Sequence, residues 1–193
     1  MRSQQVSGSV AAAGASGRLV GFLSAGQRGG FAGAPRGGGG ESLVDDGADG
    51  EGEEVVGGEA RVMLNAERTG GAAWMGRFRE DPGFMTGLHY HPHTDEQVYV
   101  LEGTLSVYTD GAWHELEAGT LGLLPKGKPH AQGNRSDKPV HLLGSGQPAA
   151  FAEQFPAVDA LMKRMQPGTP EFMAEFKKIM QRCGTVPLGP APA

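Results

Sequence analysis

The chain has 193 residues, enough for one domain of ordinary size with extra segments, and its charge is mildly acidic, 17 Lys+Arg against 22 Asp+Glu. No basic stripe is present, so a nucleic-acid partner is not expected, and no apolar run approaches the roughly 20 residues a membrane helix needs. The single cysteine, Cys183, excludes an internal disulfide framework and a cysteine-based zinc site. These features describe a soluble, cytoplasmic protein.

Residues 1–58 hold 17 of the 33 glycines, and residues 1–40 lack any Asp or Glu. Only Phe22 and Phe31 offer aromatic surface there, too little to offset the ordering entropy, so a disordered extension is expected. An acid-free start bearing Arg and Ser resembles an organelle transit peptide, and the Ala/Gly/Arg/Pro bias also fits a start codon set too far upstream. A disordered or spurious extension is the preferred reading. The acidic cluster from Asp45 to Glu54 reads as a solvated linker.

Order is expected from residue 59. The segment Ala60–Asn65 reads as a strand, Thr69-Gly70-Gly71 as a turn, and Ala72–Arg79 as the paired strand, with Trp74 and Phe78 on one face. Short strands follow at Met85–His91, Gln97–Leu101, Thr104–Tyr108, Trp113–Leu116, Thr120–Leu124, His130–Gly133 and Val140–Leu143. Turn residues separate them and no helix intervenes, which predicts an all-β sandwich or barrel over 59–147. Beyond Gln147 the apolar period becomes helical over Ala149–Gln166, interrupted by Pro156. Thr169-Pro170-Glu171 opens a second helix that Gly184 ends, so 148–184 is a helical segment packed on the barrel. Its Phe and Met stripe reads as the seam against that barrel, and residues 185–193 as a Pro-rich tail.

All six histidines fall between 89 and 141. His89 and His91 are two apart on a predicted strand, so both rings leave one face. Pro92 turns the chain, and Glu96 faces the same interior if the next strand pairs antiparallel with the first. Val98 and Val100 then follow Glu96 inward. A buried carboxylate needs a cation, and His130 from a later Gly/Pro-framed segment supplies a third imidazole. Three nitrogens and a carboxylate suit Fe, Mn, Ni, Co or Zn and disfavour calcium. An isolated His-x-His would be read as a histidine-rich loop without metal, but four converging ligands favour one divalent transition ion. Glu96 is the candidate catalytic group, as ligand or proton shuttle. Gly87, inward by parity with His89, leaves space near the ion, and Gln132 shares a face with His130. Gly87, Val98, Val100 and Gln132 are therefore the candidate substrate-pocket residues. His93 belongs to the surrounding shell, His114 and His141 to packing or surface, and Asn134 to a turn.

The segment Gly83-x5-His89-x-His91-x4-Glu96-x6-Gly103 resembles the first motif of the cupins, and Gly119-x5-Pro125-x-Gly127-x2-His130-x3-Asn134 resembles the second. The resemblance implies a double-stranded β-helix (jelly-roll) barrel with His89, His91, Glu96 and His130 on the metal, and a homodimer. The fold leaves function open. The Phe-rich helical end is similar to that of single-domain quercetinase-like cupins, which implies a metal-dependent dioxygenase acting on a small aromatic or enolisable substrate. The alternatives are a redox-neutral isomerase, lyase or decarboxylase, and a non-catalytic metal- or ligand-binding module. A two-domain oxalate decarboxylase is excluded, because the motif pair occurs once.

Overall fold

Period-two alternation and frequent turn glycines drive this chain into short antiparallel strands that curl into two facing sheets. A computed structural model describes residues 53–55 and 58–193. The expected disordered extension lies, but for β1 (Glu53–Val55) and Gly58, outside the described residues. β1 pairs with β2 (Gly58–Leu64), so a piece of the acidic stretch read as linker extends the sheet.

The other strands are β3 (Trp74–Glu80), β4 (Leu88–Tyr90), β5 (Asp95–Glu102), β6 (Thr104–Thr109), β7 (Ala112–Glu117), β8 (Leu121–Leu124), β9 (His130–Gly133), β10 (Val140–Gln147) and β11 (Val186–Gly189). One sheet runs β1-β2-β3-β10-β5-β8 and the other β11-β4-β9-β6-β7, every pairing antiparallel. This is the double-stranded β-helix. The inward residues Val98, Val100, Leu105, Val107, Leu116, Leu124, Val140 and Leu142 fill one end of it as a single apolar cluster. Burying each such side chain is worth on the order of 2 kcal/mol, which fixes the register because a one-residue slip would turn the whole set outward. Gly103 shows why the motif needs glycine at the β5–β6 turn. Its φ is +83°, and an added Cβ would stand 2.9 Å from the Pro139 carbonyl oxygen.

Three short helices complete the described chain: α1 (Ala66–Thr69), α2 (Gln154–Met162) and α3 (Pro170–Arg182). Thr169 caps α3 as its residue type predicts, its Oγ1 accepting from the Phe172 amide at 3.2 Å. The first helix expected from apolar period, Ala149–Gln166, is much shorter. Residues 149–153 form turns instead, with Phe151 plugged inward against Trp74. α2 and α3 share a cluster of Val158, Leu161, Phe172, Ile179 and Cys183. The Pro-rich tail contributes β11, which pairs with β4. No helix among the described residues is long and apolar enough to cross a membrane.

Candidate metal centre

β4 carries His89 and delivers His91 just past its end, while β9 begins at His130, directly opposite His89 in the register. Glu96 comes from β5. The antiparallel pairing on which the inward facing of Glu96 was conditioned does not occur. β5 lies in the other sheet, between β10 and β8, and Glu96 reaches the histidines across the barrel interior. The expected strand Met85–His91 is also shorter, because Pro82, Gly83 and Gly87 keep residues 85–87 out of regular pairing except for one bridge from Met85 to Gly133.

The four side chains meet, with one ligand atom from each lying within 4.8 Å of the others. Glu96 Oε2 stands 3.2 Å from His91 Nε2 and 3.2 Å from His130 Nε2. The far nitrogens are already occupied. His89 Nδ1 faces the Gly87 carbonyl at 2.8 Å and His130 Nδ1 the Lys128 carbonyl at 2.9 Å, so each carries its proton there. His91 Nδ1 faces Thr185 Oγ1 at 3.3 Å, and that hydroxyl spends its own proton on Gln154 Oε1 at 3.0 Å. Its oxygen must therefore accept from His91. All three rings consequently turn a bare Nε2 lone pair inward, and those of His91 and His130 are buried with no hydrogen-bond partner.

Lone pairs on two imidazoles and a carboxylate, pressed together without protons between them, repel unless a cation joins them. Two ligands each about 2.1 Å from one ion, at right angles, sit about 3 Å apart, close to the spacing found. The residues fit a divalent transition ion. Electrostatics prepares them for it. Burial, then the neighbouring His130, push the His89 imidazole down to about 4, so it is neutral and ready to bind at physiological pH. Burial opposes charge on Glu96; where His130 or His91 donates an Nε2 proton to it in place of a metal, the carboxyl is held below the ordinary carboxylate range.

A cavity of about 710 Å³ opens from His89 and Glu96 and runs between the barrel and the helices. Gly87, Val98 and Gln132 lie on its wall. Val100 does not; it is wholly buried deeper in the barrel core. The role expected of Gly87 changes as well. The space its missing side chain leaves is taken by β11, since a Cβ there would stand 2.7 Å from the Gly189 carbonyl oxygen. The Phe/Met stripe of α3 is more than a seam, because Phe172, Phe176, Met173 and Met180 also face this cavity. His93 and His114 are exposed, His141 is half-buried on β10, and Asn134 is fully buried, donating to the Glu80 and Lys138 carbonyls at 2.9 and 2.7 Å.

Several functional side chains escaped the sequence reading. Phe151 stacks flat on His91, with centroids 4.2 Å apart and an interplanar angle of 8°. Thr185 and the Gly184 carbonyl hold the same ring from behind, and nothing local in the sequence links residue 185 to residue 91. Glu80 is 3% exposed on the cavity wall. A signal for it existed: Trp74, Gly76, Phe78 and Glu80 share one parity, so a carboxylate stands at the end of a buried strand face.

Residues 76–145 match the family model of the cupin domain. That segment is similar to a cupin domain. Among curated relatives, TcmJ, a tetracenomycin polyketide synthase protein of Streptomyces glaucescens, is 29% identical over 104 residues, 53% of this chain and 70% of its own. SchB of Streptomyces halstedii is 34% identical over 88 residues, 45% of this chain and 64% of its own, so each match spans about half of the chain. Among solved structures, KdgF from Halomonas sp. superposes with a TM-score of 0.49 at 16% identity, covering 56% of this chain and 94% of that one.

Proposed function

We propose that this cupin domain belongs to a metal-dependent enzyme of the dioxygenase type, acting on a small aromatic or enolisable substrate. The observation that carries the reading is the junction of three imidazoles and a carboxylate with an apolar, aromatic-walled cavity. Trp74, Phe78, Phe155, Phe172 and Phe176 supply flat, apolar surface for a ring system. Arg79, also on the wall, is tied to Asp81 at 2.6 Å, which leaves no cation poised for a phosphate or dicarboxylate among the described lining residues. An ion held by His89, His91, Glu96 and His130 would supply Lewis acidity toward an enol or catechol oxygen and, if redox-active, the means to engage dioxygen. The chain's own residues do the rest. The aromatic wall orients the ring, the helices exclude water, and Glu96 stays ionised.

A redox-neutral enolisation is the second reading. It is favoured by the polyketide synthase relationship of TcmJ, since a chain of alternating ketones is acidic between its carbonyls and needs no oxidant to rearrange. Metal analysis of protein purified without chelator, followed by oxygen uptake with flavonols and catechols, separates the readings. Uptake dependent on His130 supports the first. Anaerobic turnover supports the second, and protein that cannot be loaded with metal removes both. We further propose a cytoplasmic homodimer, supported by the unpaired Cys183 and by Tyr99, Leu101, Leu121 and Leu123, which are 40–64% exposed together on the outer face of β5 and β8.

A further inference from the structure

Glu80 is a buried carboxylate that the metal cluster leaves unused. It ends the inward face of β3, is 3% exposed, and shares the cavity wall with His89 and Glu96. Gln132 Nε2 donates to its Oε1 at 2.7 Å, whereas Oε2 is buried without any hydrogen-bond partner. The strand end itself is secured differently, through the Glu80 backbone carbonyl and Asn134. The side chain therefore contributes little to the fold that a leucine would not, and an idle buried carboxyl oxygen costs stability. Such a group, held by one amide on the wall of a cavity with its second oxygen buried behind that wall, can exchange a proton with a ligand that reaches it.

We propose that Glu80 is a second catalytic residue of this cavity, passing a proton between its Oε2 and an acidic C–H or O–H of a bound aromatic ketone or phenol, with Gln132 as its positioning residue. The inference rests on the functional reading above. With a diketone, the C–H bond between the carbonyls breaks and an O–H bond forms at Oε2. The electron pair stays on the ligand as its enolate. Returning the proton to the same ligand restores the carboxylate, and no oxidant or reductant is needed.

The surroundings suit a group that works in both directions. β2 and β10 oppose it with Gly58 and Val140, β9 offers the neutral Gln132 with His130 two residues before it, and Asn134 follows that strand. Glu96 acts on it as a negative charge, while Glu59 and the Asp81-paired Arg79 also border the cavity. Burial, eased by Gln132 and reinforced by Glu96, raises the carboxyl to about 7, so acid and base forms coexist at neutral pH.

The test uses the metal-loaded full chain and benzoylacetone, an aromatic 1,3-diketone. Its exchange of the central proton in heavy water is followed by NMR above the protein-free rate. Glu80→Gln is expected to slow this exchange by about 100-fold while metal content and diketone affinity stay at wild-type levels. Glu80→Asp should recover part of the rate. Gln132→Leu should move the midpoint of the exchange–pH profile upward, since the amide stabilises the carboxylate. Exchange by Glu80→Gln at the wild-type rate overturns the role of Glu80 and leaves the metal reading intact. A metal-loaded wild type that neither binds nor exchanges the diketone overturns both. Should Glu80→Gln fail to fold, infrared difference spectra between pH 5 and pH 9 decide. A protonated buried carboxyl band that titrates near neutrality in the wild type, and higher in Gln132→Leu, supports the proposal; no such band overturns it.

Discussion

Replacing Glu80 by Gln gives a prediction about stability that needs no substrate. In the folded chain the carboxyl protonates at about 7 against an ordinary 4.5, mainly because burial strips its water and only Gln132 compensates. The folded state therefore binds this proton more tightly than the unfolded chain does. That contribution is complete below pH 4.5 and is lost as the pH climbs through about 7. The gap between those two values, at about 1.4 kcal/mol per pH unit, amounts to an upper limit of about 3.5 kcal/mol. Gln matches the protonated acid in shape and keeps an oxygen to accept from Gln132, so Glu80→Gln should be close to wild type in stability at pH 5. At pH 8 it should be more stable by up to about 3.5 kcal/mol. Urea unfolding of chelator-treated protein at intervals from pH 5 to pH 8 measures this directly, with metal binding removed from the comparison. Stability curves that run parallel across that range would refute the reasoning. They would mean that Glu80 is hydrated or partnered when ionised.

Two further changes probe the support of the site and a third the proposed dimer face. Thr185→Val removes the hydroxyl acceptor behind His91 and should weaken metal affinity about tenfold, measured by competition with a chromophoric chelator; unchanged affinity would show that Phe151 stacking and the Gly184 carbonyl suffice to fix the ring. Gly87→Ala should push β11 away from β4, lowering stability by about 1–3 kcal/mol in denaturant titration and raising amide exchange in residues 186–189, and undisturbed exchange there would contradict the close approach. Leu121→Glu together with Leu123→Glu should convert a dimer to monomer in sedimentation without loss of fold or metal, whereas an unaltered sedimentation coefficient removes this face as the interface.

Much of this protein could be read from local pattern. Alternation and turn glycines are properties of neighbouring residues, so the strands from Trp74 to Gln147 and the capped start of α3 were legible without tertiary information. The four residues that meet at the candidate metal centre were legible for the same reason, since His-x-His on one strand, Glu96 and the framed His130 stand out by type and spacing. What the sequence left open depends on long-range contact. It brought Glu96 to the histidines on the condition that the two strands pair antiparallel, yet closure of the barrel sets β4 and β5 in opposite sheets. It explained Gly87 by the metal, whereas the carbonyl of Gly189 takes that space from 102 residues further on. Residue types alone made four ligands available. Only the packing of β11, Phe151 and Thr185 around His91, and of Glu80 against Gln132, decided how the rings are held and where a second carboxylate stands, because a desolvated contact between segments distant in sequence leaves no local signature.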